Sequence, residues 1–105
     1  MHRHIICLGF KEGTTDEQVA DVERGFRAIH DSMPGMLAIS MGRNISESRR
    51  GRRYDWVMTM DFATRSAYRE YSQGEQHDRI VAEKLVPIVS AISGVDYDIG
   101  ETPEE

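Results

Sequence analysis

The sequence predicts an α+β domain whose elements run strand, helix, strand, strand, helix pair, strand. Three observations carry this prediction. Tyr54 to Phe62 alternates strictly, with Tyr54, Trp56, Met58, Met60 and Phe62 on one side and Asp55, Val57, Thr59 and Asp61 on the other. Val19, Val22, Phe26, Ile29 and Met33 recur every three or four residues, the period of a helix with one buried stripe. Segments of the two kinds are interspersed along the chain, a pattern that builds helices onto a sheet within one domain.

Taken in order, His4 to Phe10 reads as the first strand, with His4, Ile6, Leu8 and Phe10 on its bulkier face and Ile5, Cys7 and Gly9 on the smaller one. Lys11-Glu12-Gly13-Thr14 is a turn. Thr15-Asp16-Glu17-Gln18 has the form of a capping box, in which the Thr15 hydroxyl and the Gln18 side chain satisfy each other's backbone N–H groups at a helix start. The helix stops at Pro34-Gly35, because proline cannot continue it. Met36 to Ile45 alternates again, with Leu37, Ile39 and Met41 against Ala38, Ser40 and Gly42. The basic connection Ser46 to Arg53 then joins it to the strand Tyr54–Phe62 as an antiparallel hairpin.

Thr64 caps a second helix that buries Ala67, Tyr68 or Tyr71. A break at Gly74 precedes a third helical segment from about His77 to Val89, whose inner face is Ile80, Val81, Leu85 and Ile88. A short last strand, Ile92 to Ile99, is interrupted at Gly94. Residues 1–100 form the single domain, and 101–105 form an acidic tail expected to be mobile. With right-handed crossovers both helical layers fall on one face of a four-stranded antiparallel sheet, the ferredoxin-like βαββαβ arrangement.

The other sheet face would carry Ile5, Cys7, Gly9, Ala38, Ser40, Val57, Thr59, Val95 and Tyr97. That is too little charge for a face left to water, and a second copy of the same face is its simplest cover. The expectation is a homodimer in which two sheets close toward a dimeric α+β barrel.

Bulk properties narrow the function. The formal charge is −5 over 105 residues and the pI is near 5.3. Both argue against nucleic acid or an anionic membrane as the main partner. Arg49, Arg50, Arg52 and Arg53 read as a solvated hairpin loop within that acidic whole, with a phosphate grip as the alternative. The lone Cys7 cannot form an internal disulfide, which suits the cytoplasm, and reads as a small buried residue rather than a nucleophile. The apolar run after His4 is too short for a signal-peptide core or a membrane span.

Three local patterns resemble one family. The opening Arg3-His4-Ile5-Ile6-Cys7-Leu8-Gly9-Phe10-Lys11, the Pro34-Gly35-Met36 corner followed by Met41-Gly42-Arg43-Asn44, and the ending Val95-Asp96-Tyr97 are similar to stretches of the stress-responsive A/B barrel (Dabb) family. The family's hallmark after its second helix is a Tyr, a gap, and then His-Pro-x-His. Tyr71 and His77 stand at the matching spacing, with Gly74-Glu75 in place of the first His and the Pro. The resemblance implies a dimeric α+β barrel. In one branch, the plant polyketide cyclase that makes olivetolic acid, it implies ring closure by aldol condensation with no metal or organic cofactor. Tyr71 and His77 match that branch's Tyr and His, while the family's first-strand His and last-strand Asp match His4 and Asp96.

The candidate site is therefore His4, Tyr71, His77 and Asp96, floored and walled by Ile6, Leu8, Phe26, Trp56 and Met58. An imidazole beside a carboxylate is oriented and made more basic, which suits His77 or His4 as a general base. A buried phenol suits hydrogen-bond donation to an enolate or carbonyl oxygen. An apolar wall fits a small aromatic or acyl ligand, hydrophobic or polyketide-like. The competing reading makes His77 a helix start, His4 a satisfied core histidine and Asp96 a turn or dimer-edge residue. His2 and His4 alternate on a strand, but a metal needs further ligands that the sequence does not place, so neither metal nor cofactor is expected. Three functions follow: a cofactor-independent cyclase or isomerase, a non-catalytic stress-protective or ligand-binding dimer, and a cofactor-free monooxygenase or haem-degrading enzyme on the same fold.

Overall fold

The capping box at Thr15 sets the first helix: Gln18 N–H donates to the Thr15 hydroxyl at 3.1 Å and Thr15 N–H donates to Gln18 Oε1 at 2.9 Å. This computed structural model describes all 105 residues. In order they form β1 (His2–Phe10), α1 (Asp16–Ser32), β2 (Met36–Arg43), β3 (Trp56–Phe62), α2 (Arg65–Ser72), α3 (Glu75–Ile80) and β4 (Val89–Asp98). The four strands make one antiparallel sheet in the order β2-β3-β1-β4. This is the ferredoxin-like fold.

The alternation in β1 and β3 puts Leu8, Met58, Met60 and Phe62 under the helices, where they pack with Val22, Phe26 and Ile29 of α1. Burying each large apolar side chain stabilises by about 1.5–3 kcal/mol, so this face supplies most of the drive to fold. The helices also meet closely: Ile80 of α3 lies against Gly25 of α1, where an added Cβ would meet its side chain at 3.3 Å. No helix is long and apolar enough to cross a membrane.

Several expectations need correction. β1 starts at His2 rather than His4. β4 runs unbroken through Gly94 for ten residues, because β1 offers it partners all the way from His2↔Asp98 to Phe10↔Val89. Leu37 is not on the core face; the β2–β3 register shifts between Met36 and Ala38, leaving Met36 buried and Leu37 54% exposed. The third helix begins earlier, at Glu75, and passes into a π-helical turn, Val81–Leu85, before Pro87. Residues 101–105, expected to be mobile, are tied to the start of α2. The carbonyls of Pro103 and Glu104 accept from Arg65 and Ser66 N–H, and Arg69 donates to the Glu104 carboxylate at 2.9 Å. These N–H groups have no partner inside the helix, and an acidic tail is well suited to them.

Candidate functional site

The corner between α2 and α3 holds Tyr71 and His77 together. Gly74 makes that corner possible: a Cβ there would stand 2.7 Å from the Glu70 carbonyl oxygen. Tyr71, on the buried side of α2, is 3% exposed, and the His77 ring meets it edge-on with centroids 4.9 Å apart. Across the sheet, His4 of β1 lies directly opposite Asp96 of β4, and both point to the helix side. His4 Nδ1 is 3.0 Å from each carboxylate oxygen of Asp96, and its ring centroid is 6.1 Å from that of Tyr71.

His4, Tyr71 and His77 share one apolar cleft of about 180 Å³. Ile6, Phe26 and Met58 form its floor, and Val81, Leu85 and Ile92 its sides. Gly94, opposite Ile6, keeps its rim open, since a Cβ there would come within 3.0 Å of Ile6 Cδ1. Leu8 and Trp56 do not line the cleft. They pair with each other one rung further along β1 and β3, with Leu8 fully buried in the core. Asp96 stands behind His4 rather than in the wall itself. Tyr71 and His77 also border a polar depression of about 290 Å³ on the other side of the corner, with Glu70, Glu75 and Gln76. A larger depression of about 310 Å³ lies far from these groups at the β1–α1 turn; its mixed charges (Lys11, Glu12, Asp16, Arg43, Asp55) and few apolar walls make it a surface groove.

The electrostatics divide the labour. Burial, and then the neighbouring Tyr68, push the Tyr71 phenol well above its usual range, so it remains a proton-bearing donor at any physiological pH. Its hydroxyl makes no hydrogen bond to a protein group, yet Trp56 Nε1 is the only buried side-chain polar atom left without a partner, so the hydroxyl keeps some exposure at the two hollows that Tyr71 borders. Burial would raise the Asp96 carboxyl, but hydrogen bonds from His2 and His4 outweigh it and hold Asp96 ionised, below the usual carboxylate range. An ionised carboxylate only accepts, so the His4 Nδ1 facing it carries a proton; in the neutral ring Nε2 is then the basic atom. His77 has its Nδ1 beside the exposed Asp78, at 3.1 Å, and keeps a quarter of its side chain in solvent.

Residues outside the expected set complete the arrangement. His2 is 5% exposed; its Nε2 meets the Asp96 carboxylate, and its ring stacks on Tyr68 with centroids 4.2 Å apart. Arg65, at the start of α2, reaches His2 Nδ1 at 3.0 Å and Asp98 at 2.7 Å. Period-two counting back from His4 places His2 on the same face; a strand begun two residues earlier reveals it. Nothing local in the sequence ties Arg65 to it.

Comparison with known proteins gives the family. The model of the Stress responsive A/B Barrel Domain matches residues 3–99. The chain belongs to the Dabb family. No curated protein matches it in sequence. Among solved structures, a protein from Arabidopsis thaliana superposes with a TM-score of 0.84 at 19% identity, covering 97% of this chain and 98% of the other. A dimeric ferredoxin-like protein of unknown function from Jannaschia gives 0.82 at 18%, with coverages of 93% and 98%. The hydroxynitrile lyase of Passiflora edulis gives 0.80 at 16%, with 96% and 94%. At these identities the likeness shows that the Dabb chain shares their fold.

Proposed function

We propose that this Dabb protein is a cytoplasmic homodimer whose cleft performs acid–base chemistry on a small hydrophobic or polyketide-like molecule, as a cofactor-independent cyclase or lyase. The observation that carries the reading is the His4–Asp96 pair set against a proton-bearing Tyr71 in one apolar cleft. In this reading His4 Nε2 removes a proton from carbon beside a carbonyl. The C–H electron pair shifts onto the carbonyl oxygen, which receives a hydrogen bond from Tyr71. The carbanion equivalent then closes on a second carbonyl of the same molecule, whose oxygen takes up a proton. His77, edge-on to Tyr71 and reaching both the cleft and the polar depression, is placed to give that proton and to be recharged from solvent, while His4 releases to solvent the proton it took, so that the ring closure is proton-neutral overall. The hydroxynitrile lyase neighbour supports lyase chemistry on this fold.

The cleft of about 180 Å³ is below the roughly 300 Å³ at which drug-sized sites begin, so the ligand is a single ring or its open-chain precursor. The homodimer reading is supported by the dimeric Jannaschia neighbour and by the open sheet face, where Val95 and Tyr97 are 58% and 49% exposed beside Ile5, Cys7, Val57 and Thr59. The test is turnover of a panel of linear polyketide analogues and small aldol substrates. His4→Gln and Tyr71→Phe should each lower kcat by about 10²–10⁴-fold, the usual worth of a positioned acid or base, with the dimer intact. Saturable binding in the cleft with no turnover across the panel would instead make the protein a ligand-binding dimer.

A further inference from the structure

Two histidines converge on one carboxylate, and the structure separates their roles. His2 and His4 are two residues apart on β1, so both side chains leave the same face of the sheet. Their direct partners across the strand pair are Asp98 and Asp96, respectively. Asp98, however, is already engaged: Arg65 donates two hydrogen bonds to it at 2.8 and 2.7 Å, and Thr102 Oγ1 a third at 2.7 Å. His2 therefore turns diagonally to Asp96, which it meets through Nε2.

The other nitrogen of His2 fixes what that contact is. Arg65 Nη1 lies 3.0 Å from His2 Nδ1. A guanidinium only donates, so Nδ1 is an acceptor and carries no proton, and the proton of His2 sits on Nε2, donated to Asp96. The groups facing His2 are then Arg65 and Tyr68 from α2, Asp96 and Asp98 from β4, and His4 from its own strand. Both its nitrogens are committed, and its ring is held between Tyr68, stacked at 4.2 Å, and Phe62, edge-on at 6.2 Å. His4 differs in one atom. Its Nδ1 faces Asp96, while its Nε2 has no protein partner and His4 lines the cleft.

We propose that His2 and Arg65 are positioning residues that clamp Asp96 from one side, so that Asp96 holds His4 from the other as the Nδ1–H tautomer with its Nε2 lone pair free for the cleft. Asp96 sits on an edge strand with about a third of its side chain in water. With one donor its carboxylate is free to swing outward; with two donors on adjacent same-face positions it is pinned between them. Arg65 also keeps His2 out of proton exchange by occupying its second nitrogen. One imidazole of the pair is thereby structural and the other chemical. The inference rests on the reading of His4 as the base, but it is tested without a substrate.

The experiment is a long-range ¹H–¹⁵N correlation of the imidazoles in the full-length protein, recorded at about pH 9, well above the ordinary imidazole value of about 6.5. Wild type should show His2 as the Nε2–H tautomer and His4 as the Nδ1–H tautomer. His2→Phe, which keeps a ring against Tyr68 but removes the donor, should convert His4 to a mixture of tautomers. His2→Gln, whose amide can donate to Asp96, should restore the Nδ1–H form. Arg65→Met should release His2 Nδ1 and let His2 populate the opposite tautomer. An Nε2–H or doubly protonated His4 in wild type overturns the proposal, as does a His4 signal unchanged in His2→Phe. If His2→Phe fails to fold, the His2→Gln and Arg65→Met spectra decide: an unchanged His2 tautomer in Arg65→Met removes the role assigned to Arg65. Correct tautomers in a protein that turns over nothing would defeat the catalytic reading and leave this one standing.

Discussion

Replacing Asp96 by asparagine removes the charge that joins both histidines while keeping the side chain's shape. Two hydrogen bonds to a carboxylate are lost or weakened, each worth about 1.5–3 kcal/mol when sheltered. The Asp96 side chain is 32% exposed, so screening by water reduces their sum by roughly half. The asparagine also offers one acceptor to two imidazole N–H groups, and its amide N–H₂ faces the second donor. The net cost is about 2 kcal/mol at neutral pH, a fall in Tm of about 8 °C for a domain of this size at fixed protein concentration. Because the folded Asp96 titrates below its ordinary value, its contribution is fully present above the unfolded pKa of about 4 and is lost as pH falls through the folded value. Thermal melts of Asp96→Asn and wild type should thus be separated at pH 7 and converge as the pH falls below the folded value of Asp96. Asp98 and Asp21 are also held low, by Thr102 first and by Lys84 first respectively, but they do so in both proteins and cancel in the difference. Equal stability at pH 7, or a gap that does not change with pH, would refute the clamp around Asp96.

Two further perturbations probe the buried phenol and the open sheet face. Above about pH 10 the unfolded Tyr71 ionises while the buried one does not, so wild-type stability should decline with rising pH, and Tyr71→Phe should lessen that decline in an alkaline denaturant series, leaving the part owed to Tyr68; an unaltered slope would mean that burial does not hold the Tyr71 phenol in its protonated form. In the proposed homodimer, Val57→Glu, at the middle of the open sheet face opposite Cys7 and Gly42, would bury an unpaired carboxylate between two copies at a cost of about 4 kcal/mol or more. It should weaken a dimer about 1,000-fold and give a monomer in analytical ultracentrifugation, whereas an unchanged sedimentation coefficient would place the interface elsewhere.

How far the sequence carried depended on the range of each interaction. The Thr15–Gln18 capping box and the alternation of β3 are local; the box holds as read, and the alternation holds from Trp56 on, two residues later than its expected start at Tyr54. Gly94 does not interrupt β4, because β1 supports that strand along its length and a glycine's local weakness is outweighed by its partner. The tail is likewise held by distant groups: Pro103 and Glu104 find their partners on Arg65, Ser66 and Arg69, more than thirty residues away. At the site, Tyr71 and His77 were legible because only a short stretch with one glycine separates them. His4 and Asp96 needed the sheet topology, which the element order supplied. Period two places His2 on the face of His4, but its contact with Arg65 joins a strand end to a helix start, which no periodicity encodes. Leu8 and Trp56 have the right face but the wrong rung, and alternation alone does not say where along a sheet a cleft opens.

The proposed function requires that the cleft under the Tyr71–His77 corner receive a ligand. Methyl-labelled protein titrated with a single-ring phenolic aldehyde would test it directly. The expected result is saturable shifts confined to Ile6, Met58, Val81, Leu85 and Ile92, with the His4 and His77 ring signals moving in step. Shifts centred instead on Val19 beside the β1–α1 groove, or none at millimolar ligand, would contradict it.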